Sequence, residues 1–425
     1  MKLEKYLLSD VAKVEISSVD KKTKENETPV KLCNFTDVYH NWAITTKMTE
    51  SFLTASAHAG EINKFSLKRG QVAFTKDSET RDDIGVPTYI ADDFDNVLLG
   101  YHCALITPDE NKISGKYLNA FMHSSYIQKY FENSASGSGQ RYTLSLETIQ
   151  NMPLLLPSIE VQRHIGDLFS TIDRKITLNR EINQNLEALA KQLYDHWFVQ
   201  FDFPDEKGHP YKSSGGKMVW NDNLKRDIPE KWEVISLSDC VSDCGQATTP
   251  GEHLHNLPYC PIDEIPMRKM SFCGGKSYTE ANSSLQLYSE NDILIGAMRV
   301  YFHRCCIASE DGITRTTTLV LKPQVNDYLA YIYEVLNEER TFSFAIKVST
   351  GTQQPYVTWN ALSKYKFPTP KDLDIVKQYC MQVNPIIQKV KCNSKEIAML
   401  TALREELLPL LMNGQVELNS DLSVY

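Results

Sequence analysis

Short segments of this chain occur twice, in the same order. Leu8-Ser9-Asp10 recurs as Leu237-Ser238-Asp239, residues 67–74 resemble 288–295, and Lys116-Tyr117-Leu118 resembles Asp327-Tyr328-Leu329, at offsets of 229, 221 and 211. Gly139-Gln140 aligns with Thr352-Gln353 and Leu156-Pro157 with Thr369-Pro370 at 213, then Arg180-Glu181-Ile182 with Lys395-Glu396-Ile397 at 215. Matches that keep their order while their offsets drift, as loop insertions would make them, predict two homologous halves.

Each half reads as a mixed α/β segment, a proline-bounded junction and a long helix. Short β-branched or aromatic runs at 71–75, 97–107, 292–297 and 316–321, bounded by Gly, Asp, Asn and Pro, predict a compact sheet. Helical stretches at 116–131 and 327–344 each precede a polar loop, 134–140 or 349–354. The boundaries expected are a first domain at 1–157, a helix at 158–200, a linker at 201–230, a second domain at 231–370, a helix at 371–413 and a tail at 414–425.

The first helix carries Ile165, Leu168, Ile172, Ile176, Ile182, Leu186, Leu189 and Leu193, with Asn179 filling one vacancy, a mean spacing of 3.5 residues. That is the coiled-coil period, and one polar seam residue tends to fix register. Ser158 is a plausible N-cap. The second stripe is Val383, Ile387, Val390, Ile397, Leu400, Leu403, Leu407 and Leu411, closed by Asn413-Gly414. Pro385 requires this helix to start after Asn384 or to kink there. Each stripe needs burial, and the partner at hand is its repeat. The expected fold class is α+β: two α/β domains separated by two long helices pairing as an antiparallel coiled coil about a pseudo-two-fold axis, with a domain at each end.

The 425 residues are 42% hydrophobic and 23% charged, which suits a globular chain with real cores. The longest apolar runs, 152–156 and 407–412, are far shorter than the roughly 18 residues a membrane span needs. Charges at Lys2, Glu4, Lys5, Asp10 and Lys13 interrupt any secretory core, so a cytoplasmic protein with reduced cysteines is expected. A net charge of −9 counts against nucleic acid only if the basic residues are not gathered on one face.

Catalytic signatures are mostly missing. Gly274-Gly275-Lys276-Ser277 ends like a phosphate-binding loop, but Met270 stands where its first glycine belongs. Asn256-Leu257-Pro258-Tyr259 approaches the Asn-Pro-Pro-Tyr of amino-methyltransferases without a glycine-rich cofactor loop upstream. Cys240, Cys244, Cys260 and Cys273 lack the spacing of paired zinc knuckles. No cofactor and no metal are expected.

Basic residues cluster in the predicted loops. Lys64, Lys68, Arg69, Lys76 and Arg81 do so in the first half, and Arg299, His303, Arg304 and Arg315 in the second, interleaved with Tyr301, Phe302 and Thr316. Arg and Lys neutralise phosphates, Arg and Gln read purine edges, and Thr can touch a thymine methyl. Taken singly, each is more simply a solvated surface residue. Gly137-Ser138-Gly139-Gln140-Arg141-Tyr142 and Gly351-Thr352-Gln353-Gln354-Pro355-Tyr356 fall at equivalent places, where glycine admits a close approach and Gln, Arg and Tyr give directional contacts; a plain glycine turn is the bland alternative.

These features resemble the specificity subunits of type I restriction-modification systems. In that family a Gly-Thr-Gln-like loop is followed by Pro-x-x-Glu-x-Gln-x-x-Ile opening a long helix; residues 157–165 fit in full, and Ile228-Pro229-Glu230-Lys231-Trp232 resembles the opening of a second domain. Residues 370–375 lack the Glu and Gln. The resemblance implies a non-catalytic reader of a bipartite double-stranded DNA target, one domain per half-site. It further implies helices that act as ruler and as dock for two methyltransferase subunits, which restriction motor-endonuclease subunits then join. Such partners would share the phosphate contacts. The rival readings are an assembly or inhibitory paralogue that no longer reads DNA, and a stand-alone enzyme.

Overall fold

The computed structural model describes residues 2–137 and 139–416. By contacts, the chain divides into one unit built from Met1–Ile176 and Leu400–Tyr425 and a second built from Thr177–Met399.

The first unit is organised around a five-stranded sheet ordered Ala12–Ile16, Cys103–Pro108, Val72–Thr75, Pro87–Ile90, Ala43–Ile44, antiparallel except for the last pair. Val72–Thr75 is covered on both faces, so its side chains alternate between cores. Val72 and Phe74 join Ala104 and Ile106 on one face, and Ala73 joins Cys103 and Leu105 on the other. Leu53–Ala57, Thr28–Cys33 and Val97–Leu99 make a second sheet. Glu4–Leu7 pairs with Pro153–Leu156 and so closes the start of the domain onto its end.

The second unit repeats this order with Val241–Asp243, Thr318–Pro323, Ile293–Gly296, Cys305–Ala308 and Ser271–Phe272, again parallel only at the last pair. Ile293 and Ile295 face one core, and Leu294 faces the other with Cys306 and Val320. Trp232–Ser236 pairs with Lys366–Pro370, the counterpart of the closing pair. Residues 201–230 are built into this unit: Phe201 and Phe203 pack on Trp232 at 5.0 and 5.4 Å, and Met218–Asn221 pairs with Arg226–Pro229.

The long helices are Ile159–Tyr194 and Asp374–Met412. At the start of the first, Gln162 is 1% exposed; its Oε1 accepts from Ser114 N at 3.0 Å and its Nε2 donates to the carbonyls of Lys112 and Pro157. The motif glutamine therefore ties the helix to its domain. In the first unit Ile165 and Phe169 share a core with Leu408, Leu411 and Met412, while Arg404 lies over Trp42 at 4.8 Å. Trp42 stacks on His123, which burial and the Arg404 charge push down to about 3. In the second unit Asn179 donates to Glu396 at 2.7 Å, and Tyr379 donates to the Ala190 carbonyl at 3.3 Å. The partners' numbers fall as the first helix advances, so within each unit the helices run antiparallel.

One choice left open about the helices is decided, and two expectations need correction. The second does not begin after Asn384; it runs from Asp374 through Pro385, whose missing N–H leaves the carbonyl of the exposed Met381 without its helical partner. The buried stripe of the first passes through Phe169, Asn179, Asn183, Ala190 and Tyr194, while Leu189 is 53% exposed and Ile182 only half-buried. Leu403 of the second stripe is also exposed, whereas Val383, Ile387, Val390 and Leu411 are buried, and Ile397, Leu400 and Leu407 half-buried. On the first helix the buried positions from Ile165 to Tyr194 advance by about 3.6 residues per turn, as in an ordinary α-helix, so a 3.5 spacing drifts off the contact line there. Residues 417–425, most of the expected tail, lie outside the described residues, and no described helix is long and apolar enough to cross a membrane.

Candidate nucleic-acid interface

In each unit the C-terminal end of the central strand carries the candidate contacts. In the first, Val72–Thr75 runs into Asp77–Ser78, which pairs with Tyr142–Thr143, itself paired with Ser136–Gly137. This folds the loop bearing Gln140 and Arg141 back over Lys76. Asp77 is buried at the centre and takes three contacts: Lys76 Nζ at 2.7 Å, Thr143 Oγ1 at 2.6 Å and His102 Nδ1 at 2.7 Å. Burial alone would raise its carboxyl, but hydrogen bonds from His102, Lys76 and Thr143 outweigh it and hold the group below the usual carboxylate range. Arg141 Nη2 lies against the His102 ring, 2.7 Å from Nδ1 and 2.9 Å from Nε2, and the Arg81 guanidinium lies 5.1 Å over the Tyr142 ring. An open cleft of about 620 Å³ beside them is lined in part by Lys21, Tyr39, Asp83, His102, Gln140 and Arg141.

Lys76, Arg81, Gln140, Arg141 and Tyr142 are thus brought together. Lys68 and Arg69 are not: they precede the same strand, at its opposite end, where the Arg69 N–H binds Asp93. Lys64 lies beside Glu15. Ser138 is outside the described residues.

In the second unit, Ile293–Gly296 ends in a turn, Val300–Phe302, flanked by Arg299 at φ 52° and His303 at φ 50°. The Arg299 N–H donates to the Pro355 carbonyl at 2.7 Å, Val357 N–H to Ala297, and Tyr356 Oη to the Thr316 carbonyl at 3.3 Å. These bonds gather the exposed Arg299, Tyr301, Arg315, Thr316, Gln353 and Gln354 with the half-buried Tyr356 on one rim.

His303 and Arg304 do not belong to that rim. His303 is buried, stacked on Phe342 at 3.7 Å with Nε2 on Asn337 Oδ1 at 2.9 Å, and burial lowers its affinity for a proton. Arg304 binds the carbonyls of Asp263 and Ile265. Both residues hold loops together, because the left-handed turn directs them back into the domain.

The rejected motifs have structural uses. The Gly274 N–H donates to Glu310, a carboxylate where a phosphate-binding loop would hold a phosphate. Tyr259 is buried in a strand paired with Ile313. Burial pushes Cys240, Cys244 and Cys273 up to about 12, which keeps them as thiols.

The sequence reading missed Asp77 and His102, which lie 25 residues apart, with Thr143 66 residues beyond Asp77, so that only the folded sheet brings them together.

A family model described as "Type I restriction modification DNA specificity domain" matches residues 3–188, the first domain and most of the first long helix. The chain is 23% identical over 407 residues to the Type I restriction enzyme HindI specificity subunit of Haemophilus influenzae, covering 83% of this chain and 88% of that one. It is 24% identical over 326 residues to the MjaIX specificity subunit of Methanocaldococcus jannaschii, covering 73% and 71%. A crystal structure of a type I restriction-modification system S subunit from M. genitalium superposes with a TM-score of 0.58 at 14% identity, over 97% of this chain and 96% of that one, and supports the fold. Over most of its length the chain is thus similar to the specificity subunits of type I restriction-modification systems, and over residues 3–188 it matches their DNA specificity domain.

Proposed function

We propose that this chain reads a bipartite duplex target, residues 1–157 taking one half-site and 231–370 the other. The observation carrying this reading is the duplicated rim. In both units a central strand of the same sheet position leads into a basic turn, and a Gln-bearing glycine loop folds back onto it. Arginine and glutamine at such rims suit guanine and adenine edges. The helices within 158–200 and 371–413 act as spacer and dock for two methyltransferase subunits, which motor-endonuclease subunits then join; 201–230 connects the halves and 414–425 forms the tail. The exposed Leu189, Met381 and Met399 are apolar helix residues that a docked subunit would cover. A duplex DNA partner places the work in the cytoplasm.

Selection of bound sequences from randomised duplex DNA, with the chain assembled with its methyltransferase partner, tests this. Two short blocks flanking an unselected gap are expected. No enrichment by an intact complex would overturn the reading in favour of an assembly or inhibitory paralogue. Lengthening the first helix should change the gap and leave both blocks unaltered.

A further inference from the structure

The buried carboxylate in the first rim is at odds with its setting, since a surface that approaches polyanionic DNA gains nothing from an acid. Asp77 is not available to DNA, however. Lys76 offsets its charge, Thr143 and His102 saturate its oxygens, and it is 8% exposed. What it holds is His102. Its Nδ1 lies 2.7 Å from Asp77 Oδ2, and Arg141 Nη2 lies 2.7 Å from Nδ1 and 2.9 Å from Nε2, so the guanidinium nitrogen sits over the imidazole ring that Asp77 fixes.

Arg141 needs such support. Its loop contains Gly139 at φ +68° with open space around it, and an arginine side chain is long enough to sample many orientations. Bidentate recognition of a guanine edge demands a guanidinium fixed in plane, and His102 meets it at one nitrogen, Nη2. The Arg81–Tyr142 stack stands beside it on the paired strand.

We infer that Arg141 is the guanine-reading residue of the first half-site and that the Asp77–His102 pair is its positioning device. This rests on the bipartite reading above. Arg141 is the specificity-determining group; His102 acts through it.

The test repeats the DNA selection on the assembled complex carrying Arg141→Ala, His102→Ala or His102→Phe. Wild type should show two blocks with a guanine in the first. Arg141→Ala should lose that guanine by about 5- to 150-fold relative to other bases, with the second block unchanged as the internal sign of a folded reader. His102→Ala removes the ring under the guanidinium and should relax the same position; His102→Phe keeps a ring there and should restore most of it. If Arg141→Ala weakens all sequences equally, Arg141 is a phosphate contact and the inference fails. If His102→Ala reads like wild type, the positioning role fails. A wild-type complex without two blocks would overturn the bipartite reading itself, a different outcome from either.

Discussion

Asn393 Nδ2 donates a 2.8 Å hydrogen bond to Asn183 Oδ1 between the two long helices, with both side chains buried. Asn183 also reaches the Val390 carbonyl and Ser394 Oγ, and Asn179 reaches Glu396, so the contact line of the second unit is polar along this stretch. Buried amides of this kind cost stability and penalise shifted registers, in which they would lose their partners.

Replacing Asn393 by Ala should therefore cost about 1–3 kcal/mol, because Asn183 is left buried without its donor. Replacing Asn183 and Asn393 together by Leu should recover most of that loss while loosening the choice of register. Urea unfolding of the singles and the double checks it; neutral singles would contradict the assignment.

Gly166 inverts the usual helix preference. A Cβ there would lie 2.7 Å from Lys116 Cβ and 2.8 Å from the Tyr117 N, where the first long helix crosses Gly115–Met122. Alanine would gain up to about 1 kcal/mol of helix propensity. It would lose about 1–3 kcal/mol to overpacking against backbone that cannot yield. Gly166→Ala should lower the unfolding midpoint, and a raised midpoint would show that the crossing has slack.

Glu334 gives stability a pH dependence of predictable sign. Burial pushes it up to about 8, Lys191 opposes this, and Asp195, Glu338 and Glu187 reinforce it. Between its ordinary value of 4.5 and about 8 the folded chain holds a proton that the unfolded chain has released. The contribution is complete below that window and is lost as pH rises through it. Across this range the denaturant midpoint of the wild type should decline with pH relative to that of Glu334→Gln, which shares the opposing contribution of His123; parallel curves would remove Glu334 as the cause.

On the second rim, Arg299→Ala or Gln353→Ala should relax discrimination in one half-site only, by about 1–3 kcal/mol per lost bidentate contact. Sequence selection on the assembled complex reads this directly. A uniform loss across all sequences would instead mean a phosphate contact.

The duplication and the two helices were legible because repetition and apolar spacing are local in the sequence. The central contact line was not: Ile182 and Leu189 are the apolar choices, yet the helix turns Asn183 and Ala190 inward, and a polar pair that meets across two helices has no hydropathy signature. The rims were half legible. Glycine loops and arginines announce themselves, whereas the departure of His303 and Arg304 follows from a left-handed turn, and the Asp77–His102 pair exists only once distant strands meet.

The first unit takes Leu408, Leu411 and Met412 into its core although they follow the whole of the second unit in the chain. A ribosome makes the chain from its N-terminus. Residues 1–176 thus emerge first yet lack part of their core until the last turns of the second helix have been made, while residues 177–399 can close before synthesis ends. The half that is born first is completed last.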